Sequence, residues 1–346
     1  FGSSRFLFQF RARGTRIALE ISHLLTDGTG ALKFFQAVLI EYLIRRYGLD
    51  RGDVVSAAAE MGVPVLDQEP QPGEEEYSYR EQYSRDVPPP VRQKPAWHLT
   101  GPRLPAGHYH VTTAVYSLAD VRRRAADMGV SMTDLLIGAI IDALQQEFRS
   151  LPSRERRRRS NWAPIRLLIP VNLRPTLGSR TLRNFFVYVM IELDQRLGVY
   201  EFDEVVSKVH HQLRTELDPR SLKRHLARNV KPERNPFVRV IPVFLKDMIL
   251  RGVFRARGDR LNSGSFSNLG RVRLPDQIEP YVTRFDFIPP PAPITGANTT
   301  LISYRDELSL TVGSSLTSHR FERAFLTRLN GLGLTGRLRT NWGRAP

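Results

Sequence analysis

The 346-residue chain is 41% hydrophobic, holds no cysteine and carries a formal net charge of +16 at pH 7. That length and apolar content suffice for a large core, in two domains or one large two-lobed unit, and exclude a disordered or fibrous chain. The lack of cysteine removes disulfide frameworks, thiol nucleophiles and thiolate metal sites, so the default compartment is the cytoplasm. No charge-free apolar run reaches about 18 residues, and the N-terminus lacks the basic and apolar regions of a signal peptide. The charge asks for an acidic partner, whether nucleic acid, anionic membrane or phosphate-bearing substrates and carriers, unless it reflects an arginine-rich genome alone.

The chain opens abruptly, inside an alternating run, and is read as a piece whose upstream sequence is missing. Residues 5–10 and 15–21 alternate apolar and polar side chains and predict two strands around a turn at Arg13-Gly14. Ile21-Ser22-His23-Leu24-Leu25-Thr26-Asp27-Gly28-Thr29-Gly30 follows, and then residues 31–43 recur at helical spacing. His23 therefore sits where a strand has just ended. An imidazole there can face a cleft, and its unperturbed pKa of about 6.5 suits a general base. Asp27 can fix the loop by capping the next helix or by pairing with a cation. Gly28 and Gly30 permit the change of direction.

Residues 50–105 are rich in proline and acid and poor in periodicity, which predicts an extended connection, with a short helix at 74–83. A strand is expected at 109–116, then a helix from Ser117 and a buried helix opening at Ser131. The arginine run at 153–160 lacks interleaved aromatics and reads as a solvated loop. Strands are expected at 165–175 and 182–191 and a helix at 203–217. Residues 237–257 mix bulky apolar residues with cations, the pattern of a core-packing helix whose cations face water or of a peripheral membrane contact. Strands at 281–287, 299–304 and 307–312, a helix at 320–332 and an edge strand at 333–342 complete the chain.

With a strand before it and a helix after it, the His23-x-x-x-Asp27-Gly28 stretch resembles the active-site motif of the acyltransferases related to chloramphenicol acetyltransferase, condensation domains and alcohol acetyltransferases. Condensation domains usually carry two adjacent histidines; Ser22 stands at the first of them here. Pro170-Val171-Asn172-Leu173-Arg174 and Asn184-Phe185 resemble further elements of the family, and Ala96-Trp97-His98-Leu99-Thr100-Gly101 and Ser267-Asn268-Leu269-Gly270 resemble elements of its alcohol acetyltransferase branch. The Asp-Phe-Gly-Trp-Gly motif of the plant branch is absent. The resemblance implies an α/β (α+β sandwich) chain of the chloramphenicol acetyltransferase-like two-lobed fold with its first lobe incomplete. Residues 1–105 would be the partial first lobe and its connection, and 106–346 the second.

The resemblance also implies that His23 is the catalytic base and that an arginine, here Arg174, pairs with Asp27 across the lobes. Ser22, Ser267 and Asn268 would line the substrate cleft near the developing oxyanion. The expected reaction moves an acyl group from acyl-CoA or an acyl carrier protein to a small alcohol, amine or lipid acceptor. Acyl-CoA or acyl-phosphopantetheine serves as donor substrate and no cofactor is tightly bound. His98 and the pair His108 and His110 are weak metal candidates; no acid or cysteine stands at ligand spacing beside them, and no metal site is expected. Two other readings stay open: a non-catalytic member of the same fold that binds a carrier, and a basic nucleic-acid-binding protein, which the charge alone motivates.

Overall fold

The first elements form because alternation and capping agree. In a computed structural model that describes residues 6–81, 93–156, 162–230 and 259–342, strands β1 (Phe8–Arg13) and β2 (Arg16–Ile21) form an antiparallel hairpin that pairs Phe8 with Ile21 and Arg13 with Arg16. Phe8 and Phe10 set their rings 5.6 and 6.0 Å from Phe34 of helix α1 (Gly28–Tyr47). Asp27 caps the start of α1, and Gly48 ends it in the left-handed region at φ 64°.

Residues 50–105 depart from the expected extended connection. Helix α2 (Arg51–Glu60) lies there, capped by the Asp50 side chain on the Asp53 N–H. Its three consecutive alanines favour helix, and it buries only Val54 and Ala58. So narrow an apolar stripe leaves little periodicity to read. The short helix expected at 74–83 appears as α3 (Ser78–Glu81). The arginines at 157–159 and the stretch at 237–257 lie outside the described residues.

The chain divides into two compact units. The first takes in residues 1–85, 171–187 and 272–284, and the second residues 86–170, 188–271 and 285–346. In the first unit, α1 donates from Gln36 to the Arg273 carbonyl at 2.8 Å, and Tyr47 stacks on Tyr281 with centroids 4.0 Å apart.

The second unit is built on a seven-stranded sheet whose order is β5-β4-β6-β7-β8-β3-β9; the last two residues of β4, the first two of β5 and the last of β6 belong to the first unit. These strands are β3 (His110–Ser117), β4 (Ile165–Asn172), β5 (Phe186–Leu193), β6 (Gly264–Val272), β7 (Ala297–Tyr304), β8 (Glu307–Ser314) and β9 (Arg337–Thr340). β6 runs parallel to β4, with Leu167 opposite Gly264, and β7 and β8 form the antiparallel hairpin expected around Arg305-Asp306. Helix α4 (Leu118–Asp127) is capped by Ser117, and helix α5 (Met132–Arg149) by a capping box of Ser131 and Asp134. α5 is buried continuously from Asp134 to Gln145, as its all-round apolar sequence predicts. It packs on the later helix Phe202–Glu216, where a side chain at Gly138 would meet Val206 Cγ2 at 2.6 Å.

No strand forms at 281–287, contrary to the sequence reading. Residues 279–281 make a 3-10 turn, and Pro289-Pro290-Pro291 follows without N–H groups to extend a ladder. The carbonyls of Phe287, Pro289 and Pro290 instead accept from the Thr300 and Tyr109 hydroxyls. Among the described residues no helix is long and apolar enough to cross a membrane, and no group of three or more His, Cys, Asp or Glu residues could hold a metal ion.

Candidate functional site

The motif loop is held by one carboxylate. Asp27 is buried, and its Oδ1 accepts the Thr29 and Gly30 N–H groups at 3.1 Å each. Its Oδ2 accepts the Phe185 N–H at 2.8 Å and lies 2.9 Å from Arg174 Nη1. Capping and cation pairing, alternatives on sequence alone, occur together. Four donors fill the lone-pair sites of the carboxylate, so little acceptor capacity remains for anything else.

Arg174 belongs to the same compact unit as Asp27, so their ion pair does not span the two halves of the chain as the sequence reading supposed. The guanidinium also clips its own chain: Nε donates to the Thr181 carbonyl and Nη2 to the Arg183 carbonyl, both at 2.6 Å, and Nη1 donates to Asn172 Oδ1 at 3.0 Å. The planar fork of arginine suits that spread of acceptors, which an ammonium group could not match.

Residues 181–185 are thereby pinned beside the motif. Thr26 Oγ1 donates to the Leu182 carbonyl, and a Cβ on Gly30 would stand 2.2 Å from that oxygen. Gly30 is thus the glycine that close approach demands. Gly28 is the first residue of α1. The clipping also explains why β5 begins at Phe186 rather than at 182: the backbone of residues 181–185 is committed to Arg174, Asp27 and Glu74. Lys33, half-buried on α1, has its pKa lowered by burial first and then by the Arg174 and Arg180 charges, with Glu74 opposing.

His23 itself is exposed. Its Nδ1 lies 3.2 Å from Asn184 Oδ1, Asn184 Nδ2 donates to the His23 carbonyl at 2.7 Å, and the Phe186 ring centroid is 5.7 Å from the imidazole. Ser22 is half-buried; its N–H donates to the Leu7 carbonyl and its Oγ accepts the Leu24 N–H at 3.3 Å, which closes a local turn. A cavity of about 440 Å³ in the same unit takes wall from Leu25, Thr26, Gly30 and Leu182 of this region, and His23 is not in its described lining.

Ser267 and Asn268 lie on β6 in the second unit. Asn268 is exposed; its Oδ1 accepts the Gly270 N–H at 2.8 Å and its Nδ2 donates to Thr133 Oγ1 at 3.3 Å. The structure thus brings together His23, Asp27 and Arg174 within one unit and sets Ser267 and Asn268 in the other. It adds three residues that sequence reasoning did not assign to the site: Asn172, Thr181 and Asn184. Two of them stood inside the stretches that carry the resemblance, as uncharged polar residues flanking apolar strands. Among the histidines first considered for metal, His110 has its pKa lowered by burial and its ring 5.3 Å from that of His319.

No protein-family model matches the sequence, and no curated protein matches it. Solved structures do. The epimerization domain from the third module of tyrocidine synthetase B is 12% identical, with a TM-score of 0.50, and the match covers 91% of this chain and 68% of that one. Polyketide synthase associated protein 5 from Mycobacterium tuberculosis is 15% identical, with a TM-score of 0.50 over 90% of this chain and 72% of that one. Against a nonribosomal peptide synthetase, FmoA3, the chain spans 24% of the other's length, with 69% of its own covered, 17% identity and a TM-score of 0.43. The fold is therefore the two-lobed, chloramphenicol acetyltransferase-like architecture that the resemblance implied.

Proposed function

We propose that this chain transfers an acyl group from a thioester, acyl-CoA or an acyl-phosphopantetheine on a carrier protein, to a hydroxyl or amine, with His23 as general base. The observation that supports the reading best is the immobilised loop under an accessible ring: Asp27 holds four donors while His23 stays exposed. A base must be placed firmly and still reach the proton it removes.

In this reading His23 accepts the proton of the acceptor O–H or N–H as that atom bonds to the thioester carbonyl carbon. The tetrahedral oxyanion collapses, the C–S bond breaks, and the departing thiolate takes the proton back from the imidazolium. Ser22 is the polar side chain next to His23 that is offered to the oxyanion. Asp27 and Arg174 act by fixing the loop. The net charge of +16 favours approach of a phosphate-bearing donor or an acidic carrier.

The test is thiol release from a panel of acyl-CoA and acyl-pantetheine thioesters, with and without alcohols and amines. The wild-type chain is expected to release thiol in an acceptor-dependent way, and His23→Ala to lose about 10²–10⁴-fold, the range that general-base catalysis supplies. An unchanged rate in the variant, or no release with any pair, overturns the reading.

A further inference from the structure

The two hydrogen bonds between Asn184 and His23 determine more than position. A backbone carbonyl can only accept, so the Asn184 atom 2.7 Å from the His23 oxygen is the amide nitrogen. The other amide atom, 3.2 Å from His23 Nδ1, is then the oxygen, which cannot donate. The proton of that bond has to be on Nδ1. We infer that Asn184 is a positioning residue that holds the neutral His23 ring in its Nδ1–H tautomer, leaving the lone pair on Nε2.

This opposes the ring's own preference, since a free histidine side chain in water favours the Nε2–H form. The bond therefore selects a tautomer as well as an orientation. Asn184 is suited to the task because its neighbour is fixed as well: the Phe185 N–H donates to Asp27 at 2.8 Å. Two consecutive residues thus grip both ends of the motif, Asn184 by side chain at His23 and Phe185 by backbone at Asp27. Asn184 and Phe186, which lie against the ring, do not ionise, and the motif's carboxylate is committed to Arg174 and three backbone N–H groups. A neutral amide thus takes the orienting place that a carboxylate or a backbone carbonyl often fills beside a functional histidine.

The tautomer assignment stands on geometry alone; its catalytic consequence, that Nε2 is the atom that takes the acceptor's proton, rests on the acyl-transfer reading. The experiment is nitrogen-15 NMR of the neutral His23 ring in the whole chain, for wild type, Asn184→Ala and Asn184→Asp, with thiol release measured on the same samples. Wild type is expected to show a protonated Nδ1 and an unprotonated Nε2. Asn184→Ala should revert toward the Nε2–H form and lose about 10- to 100-fold in kcat/KM, the usual loss when a histidine's orienting partner goes. Asn184→Asp keeps an acceptor at Nδ1, so it should retain the tautomer.

A wild-type ring protonated on Nε2, or a tautomer unchanged in Asn184→Ala, overturns the inference. If Asn184→Ala does not fold, the wild-type and Asn184→Asp spectra still decide it. Tautomers as expected, together with turnover indifferent to His23→Ala, would sink the acyl-transfer reading and leave the Asn184 assignment intact.

Discussion

Two buried arginines do similar mechanical work in the two units and are compensated differently. Arg174 in the first unit donates to the Thr181 and Arg183 carbonyls, and Arg166 in the second donates to the Lys94 and Leu261 carbonyls at 2.9 and 2.8 Å. Each therefore ties backbone segments together. The partner of Arg174 is Asp27, whose side chain is 6% exposed, whereas the partner of Arg166 is Glu192, at 43%. A carboxylate cut off from water must have every lone pair met by protein; one at the edge can be served by solvent. The first unit thus depends on an ion pair that neither member can leave, and the second on one whose acidic member is replaceable. That difference follows the motif, since the dry pair is the one that carries the His23 loop.

The largest effects should come from breaking the dry pair. Asp27→Ala or Arg174→Met strands a buried charge and should cost about 3–5 kcal/mol by chemical denaturation. Asp27→Asn should not rescue it: one carboxylate oxygen becomes an NH₂ group, set against either the Thr29 and Gly30 N–H groups or those of Phe185 and Arg174. Because both partners belong to one unit, the double variant should cost well under the sum of the singles. Additive losses would mean that the pair is not coupled.

Gly30→Ala is the next largest. The added methyl would meet the Leu182 carbonyl at 2.2 Å and Thr26 Oγ1 at 2.1 Å, and the chain at 182 cannot retreat while Arg174 holds Thr181 and Arg183. A loss of about 1–3 kcal/mol is expected. In an Arg174→Met background the same substitution should cost less, and an unchanged cost would show that Arg174 is not what pins the segment.

How much of this was legible in the sequence depends on whether the signal is local. The first hairpin, α1, α5 and the β7–β8 hairpin were readable because alternation, helical spacing and caps such as Asp27 and Ser131 lie within a few residues of what they control. The pairing of Asp27 with Arg174 has no local signature, and only the resemblance pointed to it. The resemblance also suggested a bridge between lobes, whereas the chain re-enters the first unit at residues 171–187 and the bond closes inside it. Asn184 escaped notice because nothing about a strand-flanking asparagine says which distant atom its amide will face. Helix α2 was missed because alanines carry propensity without periodicity, and 281–287 was misread because its alternation buries Val282 and Phe285 in a segment that forms no ladder and runs into three prolines.

The smallest effect sharpens the comparison from the other side. Glu192→Gln removes the charge opposite Arg166 and keeps an oxygen that can accept from its Nε and Nη2. Arg166 retains the Lys94 and Leu261 carbonyls, and the half-exposed position of residue 192 lets water and counter-ions answer the guanidinium. The expected loss is therefore within about 1 kcal/mol, as for ion pairs that reach solvent. It should shrink further in high salt, while the loss from Asp27→Ala should barely respond, because screening acts on charges that ions can approach. If Glu192→Gln instead cost as much as Asp27→Ala, solvent access would not be what separates the two arginines. The rigidity of the His23 loop would then have to come from the Thr29, Gly30 and Phe185 backbone bonds to Asp27 alone.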